Sequence, residues 1–296
     1  MTTATHRLAT APVVVGADGS DAALRAVGLA AEIAAARGRR LDIVHAVNTA
    51  AVRLVLGSYD TMIPSVVETM RAEGADMLGK ARRIAADLDP NLVVETELVE
   101  RGAADTLVER SAAAYLTVIG ATGAGGTVAH LGSTLLAVVA HGHGSILVTR
   151  GEEHPTGPIV VGVDGSPAST GAVEAAFTEA AERKAPLVAV HTWSDAEYAR
   201  FAGLPDLIEE PRMLADAESL LAEQLAGWSE KYPDVEVRRE LRLSGPRHHL
   251  LDWSKRARLV VVGNRGRGGF TGLLLGSTGN ALVQRAHCPV LVAHND

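Results

Sequence analysis

The chain has 296 residues, 47% of them hydrophobic and 21% charged, with a formal net charge of −7. That length suits roughly two domains, the composition reads as globular and soluble, and the acidic balance argues against a general nucleic-acid binder, which carries a basic face. Its apolar runs fall short of the ~20 residues a membrane helix needs. The opening stretch MTTATHRLATAPVVVG lacks a signal-peptide core, and Cys288, the only cysteine, permits no intrachain disulfide. A reducing, cytoplasmic setting is the expectation.

In chain order, a β-branched run VVVGADGS at 13–20 predicts a strand that breaks at a turn. IVHAV at 43–47 ends the next, VIGATGAGG at 118–126 is a strand running into a glycine loop, and SILVTR at 145–150 is another strand. GEEHPTGP at 151–158 is polar and proline-containing, as a linker is. PIVVGV at 158–163 predicts a strand, and DGSPAST opens a helix with Ser166 as N-cap and Pro167 at the first helical position. LVAVHTW at 187–193 is a strand, 211–231 a longer helix and VEVRRELRL at 235–243 a strand. PRHHLLDWSKRA at 246–257 is a helix, RLVVVG at 258–263 a strand, 278–286 a helix and PVLVAH at 289–294 the last strand.

The second half repeats the first. VVVGADGS at 13 answers IVVGVDGS at 159, and His45 answers His191, both 146 residues on. VIGATGAGG at 118 answers VVGNRGRGG at 261, while 144 residues on LGST at 131 recurs and SILVTR at 145 is answered by PVLVAH. Matches in the same order mean a duplicated domain, expected at 1–150 and 151–296. Strands alternating with helices argue for an α/β, Rossmann-like (doubly wound) fold, with five parallel strands per copy flanked by helices.

Ligands of such sheets sit beyond the carboxyl ends of the strands. Three features fall there: Asp18 and Asp164 after the first strands, Ala46 and Thr192 after the strand-two histidines, and the glycine loops. In copy two the loop carries Gly263, Gly266, Gly268 and Gly276, with Arg265 and Arg267 for charge and Ser277 and Thr278 for hydroxyls. Its glycines allow close backbone approach, and the following helix offers free N–H groups to an anion. An aspartate suits a ribose hydroxyl or an adenine amine, so the constellation reads as a nucleotide site. The plainer readings are that the glycines serve the turn, Ser277 caps its helix and the aspartates form D-G-S turns.

These residues resemble the universal stress protein family, in the tandem form common in actinobacteria, over essentially the whole chain. The family pattern G-x2-G-x9-G-S/T is met by Gly263, Gly266, Gly276 and Ser277. The resemblance implies ATP or a related adenine nucleotide as ligand, with Mg2+ as an optional companion. It assigns Asp164 to the family's aspartate and Thr192 to its backbone contact with adenine. It also implies pairing through the last strands, here between the two copies, and a homodimer. Copy one keeps Gly120, Gly123, Gly132, Ser133 and Thr134, but eight residues separate Gly123 from Gly132 and its loop has no arginine. Copy two is therefore expected to be the better site.

Other motifs carry less. GADMLGK at 74–80 has P-loop spacing, but Ala81 follows it and no strand precedes it. His248 and His249 are adjacent, and His141 and His143 have no cysteine or carboxylate at ligand spacing, so no metal site is expected. His45 and His191 read as packed and hydrogen-bonded, and Glu209 to Glu230 as a solvated helix face. No positioned nucleophile–base pair is evident. The expected function is a nucleotide-responsive stress or growth regulator with at most slow ATP hydrolysis; the alternatives are a cyclic-nucleotide binder, a scaffold that binds no nucleotide, or an adenylate-transferring enzyme.

Overall fold

The computed structural model describes residues 10–57, 62–121, 132–152, 154–194, 210–266 and 275–295. The chain divides into two compact units, Met1–Thr149 and Arg150–Asp296.

Unit 1 runs β1 (Val13–Gly16), α1 (Asp21–Ala36), β2 (Leu41–Ala46), α2 (Thr49–Leu56), α3 (Ile63–Leu88), β3 (Val94–Val99), α4 (Ala103–Ser111), β4 (Leu116–Gly120), α5 (Ser133–His141) and β5 (Ser145–Thr149). Its strands lie in the order β3-β2-β1-β4-β5, and each pair is parallel. Unit 2 repeats the plan with β6 (Ile159–Val163), α6 (Pro167–Arg183), β7 (Leu187–Ser194), α7 (Glu210–Lys231), β8 (Val237–Ser244), α8 (Pro246–Trp253), β9 (Leu259–Gly263), α9 (Ser277–Arg285) and β10 (Val290–Ala293). Its order is β10-β9-β6-β7-β8, again with every pair parallel. The α/β reading, five parallel strands in each copy, holds.

Apart from Thr117 the central strands carry no polar side chain, because helices cover both faces of each sheet. Val13 to Val15, Ile146 to Val148, Ile159 to Val161 and Leu259 to Val262 are all buried. The helices begin where their chemistry says. Ser20 Oγ accepts the N–H of Ala23 at 3.1 Å, and Ser166 Oγ accepts that of Ser169 at 3.2 Å with Pro167 leading the helix. On α7, Ala217, Leu221 and Leu225 recur every four residues and are buried, while Glu218, Glu223 and Glu230 are exposed. Phe177 of α6 stacks on Trp228 of α7 at 6.3 Å and on Tyr232, just past its end, at 5.9 Å.

The P-loop-like GADMLGK lies inside α3. A Cβ on Gly74 would stand 2.7 Å from His45 Cδ2 and 2.8 Å from a Leu98 methyl, so this glycine lets α3 lie close on β2 and β3.

Two buried polar groups give tests of the core. Thr117 of β4 is 1% exposed, and its hydroxyl has no hydrogen-bond partner; position 260, which stands there in unit 2, is valine. A buried hydroxyl without a partner costs on the order of 1–3 kcal/mol. Thr117→Val is expected to raise stability by about 1 kcal/mol in chemical denaturation. Cys288 is fully buried, and burial pushes its thiol up to about 12. It should stay silent to a thiol reagent in native protein at pH 8 and react as one thiol in denaturant. A raised folded-state value stabilises the fold only while both states keep the proton. The Cys288 contribution should therefore be intact below the ordinary value near 9 and fall as pH climbs towards 12; Cys288→Ala should lose that alkaline slope.

Candidate functional site

In unit 1 the strand ends converge on a cavity of about 180 Å³. β1 leaves the sheet at Gly16 and turns through Asp18, Gly19 and Ser20. Gly19 has φ +81°, a left-handed conformation that favours glycine. Asp18 accepts the Ser20 N–H at 3.0 Å, so its carboxylate shapes the turn. β2 ends at Ala46, and His45 Nδ1 lies 2.6 Å from the Ala17 carbonyl. A carbonyl only accepts, so this nitrogen carries the hydrogen, and the bond ties the end of β2 to the turn after β1.

β4 ends at Gly120. A Cβ there would stand 2.8 Å from the carbonyl carbon and 2.9 Å from the carbonyl oxygen of Ala22, so Gly120 admits the first turn of α1 against the strand. α5 then begins with Gly132 as N-cap and no side-chain cap, and α4 begins with Gly102 in the same state. Both starts present N–H groups that no capping side chain takes up. The cavity is lined by Asp18, Ala46, Gly120, Gly132, Ser133 and Thr134, with Val44, Leu107, Ile119 and Leu135 as apolar wall. All the copy-one candidates among the described residues thus meet at one cavity; Gly123 lies outside the described residues.

Unit 2 builds the same strand ends. Gly165 has φ +77°, Asp164 accepts the Ser166 N–H at 2.9 Å, and His191 Nδ1 lies 2.6 Å from the Val163 carbonyl. Gly263 admits α6 as Gly120 admits α1: a Cβ there would be 2.6 Å from the Ala168 carbonyl oxygen. Thr192 lies within β7, opposite Arg242 of β8. The Gly276 N–H donates to the Asn264 carbonyl at 2.9 Å, which closes the base of the loop. Gly276, not Ser277, is the N-cap of α9, and no side chain caps it. Ser277 and Thr278 are the first two helical residues. Arg265 is exposed, its Cα 3.6 Å from where a Gly276 Cβ would stand. Gly266 closes on the aspartate, since its Cβ would be 2.7 Å from Asp164 Oδ2. Arg267 and Gly268 lie outside the described residues.

The far end of α9 is held by Arg150. Its guanidinium donates to the Ala286 and Val283 carbonyls at 3.0 and 3.1 Å, a cation on the negative end of the helix. Burial lowers its pKa from the usual arginine value.

Sequence reasoning missed Val44, Thr106, Leu107 and Ala103, which also line the cavity. No motif marks them. A signal did exist: Leu107 and Ser111 recur as Leu250 and Ser254 at the same spacing in the second copy. Among the described residues no group of three His, Cys, Asp or Glu side chains could hold a metal ion, and no described helix is long and apolar enough to cross a membrane.

The glycines separate by what a side chain would meet. Gly120→Ala should cost about 1–3 kcal/mol, because main-chain atoms bar it and cannot rotate away. Among the described residues Gly132→Ala meets nothing within 4 Å at φ −60°, and should cost under about 1 kcal/mol, the loss of a glycine N-cap. Thermal melts of the two variants check the difference.

Three comparisons bear on this geometry. The model of the universal stress protein family matches residues 10–150 and again 156–294. A universal stress protein of Mycobacterium tuberculosis is 37% identical over 290 residues, covering 95% of both chains. A solved universal stress protein of Archaeoglobus fulgidus shares the fold with a TM-score of 0.65 at 16% identity, over 96% of this chain and 98% of that one. A universal stress protein solved in complex with cAMP covers 48% of this chain and 99% of its own, at 26% identity and a TM-score of 0.36.

Proposed function

Since the chain belongs to the universal stress protein family, with two family domains in tandem, we propose that it binds an adenine nucleotide, ATP or a close relative, at the strand ends of each unit. The observation that carries this is the unit 1 cavity, where an aspartate, a β2 terminus and an uncapped helix start come together. The Asp18 carboxylate accepts hydrogen bonds from a ribose hydroxyl or an adenine amine while its turn holds it in place. The main chain at Ala46 faces the base. The N–H groups of α5, with the Ser133 and Thr134 hydroxyls, receive phosphate at the positive end of the helix dipole. In unit 2 the same parts fall to Asp164, Thr192, Ser277 and Thr278 with Gly263, Gly266 and Gly276, and Arg265 adds charge; Arg267, Gly268 and, in unit 1, Gly123 are assigned to the same sites by the sequence pattern alone. Mg2+ enters only as the companion of the phosphates.

The chemistry is binding, with hydrolysis slow at most. Occupancy biases association: pairing through the last strands, then a homodimer, in a cytoplasmic regulator of stress or growth.

Gly132→Ala and Gly276→Ala form the matched test, because among the described residues neither Cβ meets a protein atom closer than 3.6 Å, yet each stands at the start of a helix that receives phosphate. Gly266→Ala is a poorer probe, since its methyl would strike Asp164 whether or not a ligand is present. Each unit should be stabilised by about 2.7 kcal/mol when ATP is 100 times the Kd of its site, and each glycine variant should lose one class of sites in equilibrium dialysis. No ATP bound by wild type at millimolar concentration would overturn the reading.

A further inference from the structure

β3 ends the unit 1 sheet and β8 the unit 2 sheet; β3 pairs with β2 alone and β8 with β7 alone among the described residues. A strand with one open side offers free N–H and C=O groups to another chain. Two bonds fix which groups these are. The Leu41 N–H donates to the Val93 carbonyl, and the Leu187 N–H to the Glu236 carbonyl. Main-chain direction alternates along a strand. The main chain of Glu95 and Glu97 therefore faces inward as Val93 does, and that of Val94, Thr96 and Leu98 faces out. On β8 the main chain of Arg238, Glu240 and Arg242 faces inward, and that of Val237, Arg239 and Leu241 faces out.

The two edges carry opposite charge. β3 holds Glu95 and Glu97 and no base, and β8 holds Arg238, Arg239 and Arg242 against the one Glu240. The glutamates have arginine neighbours, Arg40 on Glu95 at 3.0 Å and Arg110 on Glu97 at 2.6 Å, but Arg40 also serves Asp42 at 2.7 Å. These exposed pairs are worth little in water, so a further cation competes with them at small cost. On β8, Arg238 and Arg242 share Glu240. Arg239 is exposed and makes no ion pair among the described residues. Outside the strands, Asp234 and Glu236 precede β8 and Arg247 follows it, while Glu100 and Arg101 follow β3.

We propose that copies of this chain associate head to tail, the β3 edge of one pairing in parallel with the β8 edge of the next, and that Arg239 against Glu95 and Glu97 selects this contact. In a parallel ladder a residue whose main chain faces the partner stands opposite one whose main chain faces away, as Leu41 stands opposite Val94. With the strands level, Arg239 therefore stands opposite Glu95 or Glu97, on the same face of the sheet, and Glu240 falls on the other face. Asp234 and Glu236 come level with the uncharged stretch 90–94. In an antiparallel ladder opposite residues face the same way, which puts Glu240 on the face of the glutamates and Glu236 towards Glu100. Two β3 edges, or two β8 edges, set like charges against each other. A head-to-tail contact leaves one edge of each kind open at the ends of a pair, so a homodimer is its first step. The contact uses neither the last strands nor a nucleotide site, so its failure leaves the binding reading standing.

Sedimentation velocity of the nucleotide-free full chain tests this. At low salt the average mass should rise with concentration past that of one chain, and about 1 M salt, where charges are screened within about 3 Å, should weaken the association. Arg239→Glu should weaken it about tenfold, as should Glu95→Arg with Glu97→Arg, and the two variants mixed should associate as wild type does. Thr96→Pro removes an outward N–H and no ladder bond of unit 1, so it should abolish association and leave the thermal melt near that of wild type. If wild type stays a single chain at every concentration, the proposal is overturned. If it associates and neither Arg239→Glu nor Thr96→Pro changes this, another surface joins the copies and the proposal fails as well. A mixture of the charge variants that stays apart overturns the pairing of β3 with β8.

Discussion

The site in each unit depends on one close approach, that of the first helix to the last residue of the fourth strand. Gly120 and Gly263 sit where any side chain would run into the main chain at Ala22 or Ala168. A side chain in the way could choose another rotamer; a carbonyl in a helix's first turn cannot. This approach fixes where α1 and α6 start relative to β4 and β9, and so where the Asp18 and Asp164 turns stand relative to the glycine loops. The histidine bonds complete the frame. His45 and His191 each tie the second strand to the carbonyl just beyond the first, at the same 2.6 Å in both copies. Three strand ends are thereby held together by one steric constraint and one buried hydrogen bond.

Within that frame the duplication separates what the fold needs from what it tolerates. The D-G-S turns, the leucines against Gly16 and Gly162, and the serines that receive His143 and His287 recur because geometry demands them. The outer strands diverge. Glu97 of β3 pairs with Arg110 of α4 at 2.6 Å, both about half exposed, so the pair is worth little in water. The same place on β8 holds Glu240, only 7% exposed. Such a carboxylate needs partners, and it has the Trp253 indole N–H at 3.0 Å and two arginines, Arg238 and Arg242. One acidic position is thus a surface charge in one copy and the centre of a buried network in the other.

Much of this was legible in the sequence, and the boundary is physical. Strands, their order and the Ser166–Pro167 helix start are written in neighbouring residues, through apolar runs and capping chemistry. The strand-two histidines could be read as hydrogen-bonded, but not to what, since their partners lie 28 residues away. Thr106, Leu107 and Val44 reach the cavity through packing between distant segments and carry no local mark. On the plainer reading Ser277 caps its helix; the helix instead starts at Ser277 with Gly276 as its N-cap, and the Gly276 N–H makes the closing bond to Asn264.

The glycines show most plainly why a motif is not a mechanism. In the sequence, Gly263, Gly266 and Gly276 are three matches to one pattern. In the structure each is glycine for a different reason. Gly263 makes room for a helix, and Gly266 makes room for the Asp164 carboxylate. Gly276 is barred by no described protein atom closer than 3.6 Å, so its missing side chain leaves space at a helix start among the described residues, and Gly132 is its counterpart in unit 1. Gly120, Gly263 and Gly266 would be glycine in a scaffold that bound nothing, while Gly132 and Gly276 serve as N-caps whose bare Cα leaves room for a ligand among the described residues.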